Sequence, residues 1–289
     1  MGMWISFLDY CFEKGLLRGY SRVLDIGPQN LYFATPSAVM RLISQLGSKG
    51  DERILAEAAD RLSYFSTPRS GERTAFIAEL FDLTTVSYLG YDVCPAPDTE
   101  IFDLNVQRLP ADKMNYFDVV LNFGTTEHLL NQLNVFELMH HAVKVGGAIL
   151  HQIPSVGWVD HGYFNYNALL IDDLVKANDY EVLDRFYTVA GESKFASKGL
   201  DIRDPATPNL MHSAKGPDFV PNFNLNYFVR KTVDAPFYVG LEIETTHSPL
   251  SEEIALAYGD RRRVAAGDLV RRHVMEPNST GIENWMAAQ

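Results

Sequence analysis

The sequence predicts a doubly wound α/β fold, in which helices cover both faces of a mainly parallel sheet. Segments with strand character alternate with segments of helical spacing through much of the chain, as successive βαβ units require. The stretch Phe117–Phe123, FDVVLNF, is apolar almost throughout, which is typical of a strand buried on both faces. In addition, Gly27 ends the first predicted strand, where the chain must turn sharply.

Each element is predicted from the spacing of its apolar residues. Thr35 and Pro36 form a typical helix start, and Gly47 is a typical stop. The pair Gly146 and Gly147 is expected to turn the chain into a strand. We predict helices over residues 3–18, 36–46, 52–64, 72–81, 129–143 and 169–178, and strands over residues 23–26, 85–89, 99–104, 117–123, 148–153, 181–189 and 223–231.

Three regions are predicted along the chain. Residues 1–19 form an N-terminal helix, residues 20–232 the main α/β domain, and residues 233–289 a C-terminal extension. The main domain carries inserted helices over about 51–82 and a lid-like loop over about 191–222, which is rich in Gly, Pro, Ser, Asp and Lys. The extension is expected to contain a strand at 237–245 and a helix from about residue 251.

Composition excludes several classes of partner. The net charge is −12, so a broad phosphate-binding surface, and with it a nucleic-acid partner, is not expected. No apolar run reaches the roughly 18 residues that span a bilayer, so no membrane partner is expected either. The N-terminus lacks the basic region of a signal peptide, and the two cysteines, Cys11 and Cys94, stand in unrelated contexts. We therefore expect a cytoplasmic protein.

Ligands of doubly wound sheets bind at the carboxyl ends of the strands. Asp25, at such an end, can accept hydrogen bonds from a cationic group; alternatively the segment is only a buried strand with a turn at Gly27. Asp92 can grip a ribose diol, or it is an ordinary surface acid. Asp103 and Leu104 can hold the amino group and face of an adenine, unless Asp103 simply forms an Asx turn.

Four short phrases occur in the order and placement found in one enzyme family. They are VLDIG, FDVV with TEH after it, and KVGGAIL. Through them, residues 20–190 resemble the class I S-adenosylmethionine-dependent methyltransferases, and the strand at 223–231 completes the sheet. The resemblance implies a Rossmann-like, mainly parallel, seven-stranded sheet and S-adenosylmethionine as cofactor.

The resemblance also implies a set of cofactor-binding residues. The chain departs from the family at its first motif, where the second and third glycines are missing. Since S-adenosylmethionine carries no phosphate, a tight glycine-rich loop is less necessary than in a dinucleotide site, and Gln29 can supply an amide there. The expected cofactor-binding residues are Asp25, Gly27, Gln29, Asp92, Asp103, Leu104, Asn122, Phe123, Gly124 and Glu127.

The acceptor is expected to bind beside the loop after the fifth strand. His128 and His161 are the candidate catalytic bases. Tyr163, Asn165 and Tyr166 suit a small polar acceptor, although the aromatic residues can instead pack the domain edge. No metal site is predicted.

The predicted function is transfer of a methyl group from S-adenosylmethionine to an O or N atom of a small polar, sugar-like or other metabolite, by in-line displacement. The alternative is a non-catalytic, methyltransferase-like binding or scaffold protein. A nicotinamide-dependent oxidoreductase is disfavoured, because a lone glycine is a poor dinucleotide fingerprint. A homodimer is left open.

Overall fold

The computed structural model describes residues 2–69, 71–189, 200–201, 222–240 and 263–265. Its helices and strands alternate as the sequence predicts. In chain order they are β1 Gly2–Trp4, α1 Ile5–Glu13, β2 Arg22–Ile26, β3 Asn30–Tyr32, α2 Pro36–Leu46, α3 Glu52–Phe65, α4 Ile77–Phe81, β4 Ser87–Asp92, β5 Thr99–Ile101, β6 Phe117–Phe123, α5 Gln132–Ala142, β7 Val143–Pro154, α6 Ala168–Asn178, β8 Glu181–Val189, β9 Leu200–Asp201, β10 Phe223–Arg230, β11 Tyr238–Gly240 and β12 Arg263–Ala265.

The main sheet has the strand order β5-β4-β2-β6-β7-β10-β8, and the two-residue β9 extends its edge. Neighbouring strands from β5 to β7 are parallel, whereas β10 is antiparallel to both β7 and β8. The predicted Rossmann-like, mainly parallel, seven-stranded sheet is therefore confirmed. The strand order reverses between β2 and β6, which is where a ligand crevice is expected.

Hydrophobic cores lie on both faces of this sheet. Along β6, Val119, Leu121 and Phe123 join the core beneath α1, α2 and α3, whereas Phe117 and Val120 join the core beneath α5 and α6. Every residue of β6 is buried. Because successive side chains of a strand point to opposite faces, this burial explains the uninterrupted apolar run of the sequence.

The first long helix begins and ends where the sequence predicts. The Thr35 side chain accepts a hydrogen bond from the Ala38 N–H at 3.2 Å, and Pro36 occupies the first turn. At the other end Gly47 has a φ of 87°, a conformation that side chains disfavour. These local signals therefore fix the bounds of α2.

Several elements differ from prediction. The parallel pair β1 and β3 was not predicted, and the helix predicted at 72–81 is confined to Ile77–Phe81. Gly146 and Gly147 do not precede β7 but lie within it, beside a register shift against β6 between Phe117 and Val119. The shift accommodates the glycine pair without ending the strand.

The C-terminal predictions are covered only in part. Of the strand predicted at 237–245, residues 238–240 form β11, and residues 263–265, predicted to be helical, pair with it as β12. Most of the lid-like loop at 191–222 and of the helix from residue 251 lies outside the described residues, and the domain boundaries stay a prediction. Within the described part of the chain, no helix combines the length and apolar content that crossing a bilayer requires.

Candidate active site

A cleft of about 550 Å³ opens at the carboxyl ends of β2, β4 and β6. Its volume lies in the range typical of small-molecule sites, roughly 300–1,000 Å³. It is lined by Gly27, Pro28, Gln29, Asp92, Val93, Phe102, Asp103, Leu104, Asn105, Gly124, Thr125, His128 and Leu129. A somewhat larger cavity, of about 640 Å³, lies beside α6 and β8, and two of its charged residues, Asp172 and Arg185, bond to each other.

The cleft brings together most of the residues that the sequence singles out for the cofactor. Gly27, Gln29, Asp92, Asp103, Leu104 and Gly124 line it. Asp25 and Asn122 are fully buried at the ends of β2 and β6. Phe123 does not line the cleft: its ring packs against that of Phe7, with 4.4 Å between centroids, in the core beneath α1. That the other residues hold a cofactor remains a prediction.

Gly27 is required by a contact within the protein. Its φ is 86°, and a Cβ atom placed there would lie 2.2 Å from Oγ1 of Thr125. The protein group closest to this glycine is the Thr125 side chain, in the loop after β6. The glycine thus lets the loops after β2 and β6 close against each other.

Asp103 and Asp92 have local partners as well as a place in the cleft. Oδ1 of Asp103 accepts a hydrogen bond from the Asn105 N–H at 2.9 Å, so the Asx turn considered from the sequence is present. Oδ1 of Asp92 accepts one from the Cys94 N–H at 2.7 Å. Both carboxylates are held in place before any ligand binds.

Buried acceptor atoms without partners cluster near this cleft. They are Oδ1 of Asp25, Oε1 of Gln29, Oδ1 of Asn122 and both carboxylate oxygens of Glu127, none of which has a hydrogen-bond partner among the described residues. An unsatisfied buried polar group destabilises a protein by about 1–3 kcal/mol, so a cluster of them indicates an absent donor. A ligand that brings N–H or O–H donors, or positive charge, matches this set.

Asp25 illustrates the effect of such burial. Burial raises the pKa of Asp25 to about 8, although the Tyr88 hydroxyl donates to Oδ2 at 2.7 Å and the Gln29 N–H does so at 3.2 Å. The nearby Asp92 carboxylate raises this pKa further. A cationic ligand beside Asp25 would stabilise its ionised form.

Glu127 lies between two histidines beside the cleft. Its Oε1 is 3.4 Å from Nε2 of His161 and 3.7 Å from Nε2 of His128, and neither pair has hydrogen-bond geometry. The loop after β7 holds this arrangement, because the Tyr163 N–H donates to the Glu127 carbonyl at 2.8 Å. A Cβ atom at Gly162 would lie 2.9 Å from Cγ of Glu127, so the loop can approach only with glycine there.

The pKa shifts of Glu127, His128 and His161 favour groups that can accept a proton or bind a metal ion. Burial raises the pKa of Glu127 to about 7 and lowers that of His128. Burial and the neighbouring His128 lower the pKa of His161. Both imidazoles are therefore neutral near pH 7, with a lone pair free to accept a proton or bind a cation. His128 is the member that lines the cleft.

The residues predicted to bind the acceptor are only partly available. Tyr163 is 67% exposed, and Asn165 is exposed with its amide donating to the Trp158 carbonyl at 3.0 Å. Tyr166 is only 4% exposed, and its hydroxyl donates to Oε1 of Gln132 at 2.7 Å. Tyr166 therefore packs the domain edge, which is the alternative that the sequence left open.

It was not predicted from the sequence that the side chains of Glu127, His128 and His161 lie close together. The order of the strands does indicate this proximity. Glu127 and His128 follow β6, His161 follows β7, and these strands are consecutive in the sequence and adjacent in the sheet. The carboxyl ends of adjacent parallel strands meet at one edge, so their loops are expected to come together.

No protein-family model and no curated protein matches the chain. Among solved structures, an S-adenosylmethionine-dependent methyltransferase from Archaeoglobus fulgidus is 11% identical, with a TM-score of 0.41 over 78% of this chain and 94% of that one. The 1,6-didemethyltoxoflavin N1-methyltransferase of Burkholderia thailandensis is 10% identical, with a TM-score of 0.40 over 79% and 77%. The 4+2 cyclase SpnF is 12% identical, with a TM-score of 0.44 over 80% and 81%.

These similarities are weak, and the fold is established by the chain's own strand order, its antiparallel β10 and the cleft at the switch point. In its sheet, the chain has the Rossmann-like fold that its resemblance to the class I S-adenosylmethionine-dependent methyltransferases implies.

Proposed function

We propose that this protein is an S-adenosylmethionine-dependent methyltransferase that acts on an O or N atom of a small polar molecule. The cofactor occupies the cleft at the carboxyl ends of β2, β4 and β6. Its adenosine lies near Asp92, Asp103 and Leu104, and its methionine part lies near Gly27. The acceptor binds beside His128 and His161. The proposed setting is cytoplasmic, as the cysteine content and the N-terminal sequence predict.

The observation that carries this proposal is the cluster of unpartnered buried acceptors on Asp25, Gln29, Asn122 and Glu127. S-adenosylmethionine brings a sulfonium, an ammonium group with three N–H donors and a ribose with two hydroxyls. A dinucleotide would instead bring a doubly charged pyrophosphate, which gains nothing from unpartnered acceptor oxygens. The unpartnered acceptors therefore favour the cationic methyl donor over a nicotinamide cofactor.

Methyl transfer needs alignment more than elaborate chemistry. A lone pair of the acceptor forms the new bond to the methyl carbon, the S–C bond breaks, and its electron pair stays on sulfur, giving neutral S-adenosylhomocysteine. The acceptor's proton passes to an imidazole. His128 and His161 are neutral near pH 7 and can take it.

Ligand-induced stabilisation tests the cofactor assignment. Unfolding temperatures are compared for the protein alone and with S-adenosylmethionine, S-adenosylhomocysteine or NAD. A ligand at 100 times its dissociation constant stabilises by about 2.7 kcal/mol, so the two adenosyl ligands should raise the melting temperature and NAD should not. Absence of any shift with both adenosyl ligands at millimolar concentration would refute the proposal.

Turnover separates an enzyme from a scaffold. S-adenosylhomocysteine formation is followed with pools of sugars, phenols and amines as acceptors. Product formation that requires both the protein and one acceptor class supports the methyltransferase. Adenosyl-ligand binding without product from any pool would favour the non-catalytic alternative.

A further inference from the structure

We propose that Glu127, His128 and His161 form a binding site for a divalent first-row transition-metal cation, with zinc as the reference ion. Three protein ligands leave one coordination position open. We infer that this position takes the oxygen or nitrogen of the methyl acceptor. The catalytic part of this inference rests on the proposed function, whereas the metal site itself does not.

The three donors have the identity that such an ion requires, and both distances from the Glu127 oxygen suit it. Two imidazoles and one carboxylate are a common set of protein ligands for zinc and other transition metals. One ligand atom from each residue lies within 4.8 Å of the other two. Donors held about 2.0–2.1 Å from a tetrahedral ion are separated by about 3.4 Å. The Glu127 oxygen is 3.4 Å from His161 Nε2 and 3.7 Å from His128 Nε2.

No hydrogen bond among the described residues accounts for the burial of the same atoms. Glu127 has 0% exposure, and neither of its oxygens has a hydrogen-bond partner among the described residues. Nε2 of His161 is likewise buried and unpartnered. A buried carboxylate facing an imidazole nitrogen normally forms a hydrogen bond. Oε1 of Glu127 and Nε2 of His161 do not form one. This is expected if both atoms point toward a common metal ion.

The surrounding structure holds the ligands in place without a metal. The His128 N–H donates to the Thr125 carbonyl at 3.0 Å, which closes the single turn carrying Glu127 and His128. The side-chain amide of Gln132 donates to the Thr126 carbonyl at 2.7 Å. The ring of Trp158 packs against that of His161, with 4.5 Å between centroids. A site with such support is preorganised for binding.

The position of the site favours a role in methyl transfer. His128 lines the cleft, so its ligand position borders the space assigned to the cofactor. A cation there would orient an acceptor hydroxyl and promote loss of its proton to solvent. It would thereby replace the imidazole base of the proposed function, because a metal-bound Nε2 cannot also accept the proton. The resulting oxygen lone pair forms the bond to the methyl carbon, the S–C bond breaks, and its electrons remain on sulfur. The cation is unchanged.

Metal binding is measured on tag-free protein that has been treated with a chelator. Titration with Co²⁺ should give absorption bands of a low-symmetry complex, and calorimetry with Zn²⁺ should give one site per chain. The variants are Glu127→Gln, His128→Ala and His161→Gln, each checked for folding by circular dichroism. Each should weaken Zn²⁺ binding at least 100-fold, since each removes a direct ligand.

His141→Ala is the matched control. His141 lies at the far end of α5, where its nearest carboxylate is that of Glu137 at 4.0 Å, so it offers a histidine and acid pair outside the proposed site. The His141→Ala variant should bind Zn²⁺ with the same affinity as the unchanged protein. Equal weakening in His141→Ala and His128→Ala would overturn the proposal. If a buried variant fails to fold, the exposed His128→Ala still decides the outcome.

The metal site and the proposed function can fail separately. One Zn²⁺ per chain without a thermal response to S-adenosylhomocysteine would support the site and refute the function. A response to S-adenosylhomocysteine with no Zn²⁺, Co²⁺ or Mn²⁺ binding would support the function and overturn the site. In that case the trio would serve only as a metal-free base.

Discussion

Buried carboxylates at the two edges of the sheet differ in their hydrogen-bond partners and in the direction of their pKa shifts. At the amino edge Asp118, 1% exposed, accepts hydrogen bonds from the N–H groups of Ser21 and Arg22, both at 2.8 Å, and pairs with Lys144. Burial raises its pKa, but the Lys144 ammonium and the two N–H groups outweigh burial, so the pKa of Asp118 lies below its usual value. This carboxylate is ionised and satisfied within the protein.

At the carboxyl edge Asp25 and Glu127 are likewise shielded from solvent, yet Asp25 has one carboxylate oxygen and Glu127 has two without partners among the described residues. Burial raises their pKa values to about 8 and about 7. The pKa shifts are opposite because Asp25 and Glu127 lie deeper in the protein and lack a cationic partner such as Lys144. The amino-edge carboxylate is satisfied within the fold, whereas we propose that the carboxyl-edge carboxylates bind a group from outside.

The largest expected loss of stability comes from a substitution at the amino edge, Asp118→Ala. Asp118→Ala leaves Lys144 and two backbone N–H groups without their partner, and should lower the free energy of unfolding by about 3 kcal/mol. Urea denaturation measures the change. The control Asp112→Ala removes an exposed acid, and its effect should stay within about 0.5 kcal/mol. A loss below about 1 kcal/mol for Asp118→Ala would contradict the structural role.

The pH dependence of stability tests the carboxyl edge. Folded Asp25 holds its proton up to about pH 8, whereas the unfolded chain releases it near 3.8. Between these values the folded state binds the extra proton, so the free energy of unfolding falls as pH rises, by at most about 1.4 kcal/mol per pH unit. Its neighbour Tyr88 stays neutral because burial raises its pKa.

Asp25→Asn removes this titration. The stability of the unchanged protein relative to the variant should therefore decline between about pH 5 and pH 7, as measured by urea denaturation without ligand. The stabilising contribution of Asp25 is complete at low pH and disappears as the pH approaches 8. A stability difference that stays constant with pH would show that Asp25 is already ionised in the free protein.

Gly27→Ala tests how the carboxyl-edge loops are joined. Both the positive φ and the 2.2 Å contact with Thr125 oppose a side chain there, and a loss of about 2 kcal/mol is expected. Gly146→Ala is the control, because Gly146 has a φ of 83° but open space around it. Thermal unfolding should show the larger loss for Gly27→Ala. Equal losses would mean that only backbone strain matters.

The smallest expected effect is on the affinity for S-adenosylhomocysteine. Asp92→Ala should weaken S-adenosylhomocysteine binding more than tenfold, or about 1.4 kcal/mol, because it removes the proposed ribose partner. Glu100→Ala, an exposed acid on β5 that does not line the cleft, should leave the affinity unchanged. Calorimetry gives both values. An unchanged affinity for Asp92→Ala would show that the ribose lies elsewhere.

Local sequence signals predicted the main elements well. The bounds of β6 and β8 and the start of α2 at Thr35 agree with prediction because each depends on neighbouring residues. Strands β1 and β3 could not be predicted in this way. Each has three residues and pairs with the other across 28 positions of the chain, from Gly2 to Asn30. Pairing over such a distance leaves little local pattern.

The candidate site was also predicted only in part. The sequence placed Asp92, Asp103 and Gly124 at one edge of the sheet, because strands that alternate with helices run parallel and end together. It did not separate residues that face the cleft from residues that face the core. Phe123 and Tyr166 point inward, since apolar rings contribute more stability in the core than at a wet edge.

The sequence by itself determined the α/β alternation, the acidic surface and the edge at which polar residues collect. Only the tertiary structure decided that Glu127, His128 and His161 meet and that Asp25 and Glu127 keep oxygens without partners. The reason is physical. Hydrogen-bond satisfaction of a buried group depends on atoms brought from distant positions by packing, here through a glycine at 162 that lets the loop after β7 close on Glu127.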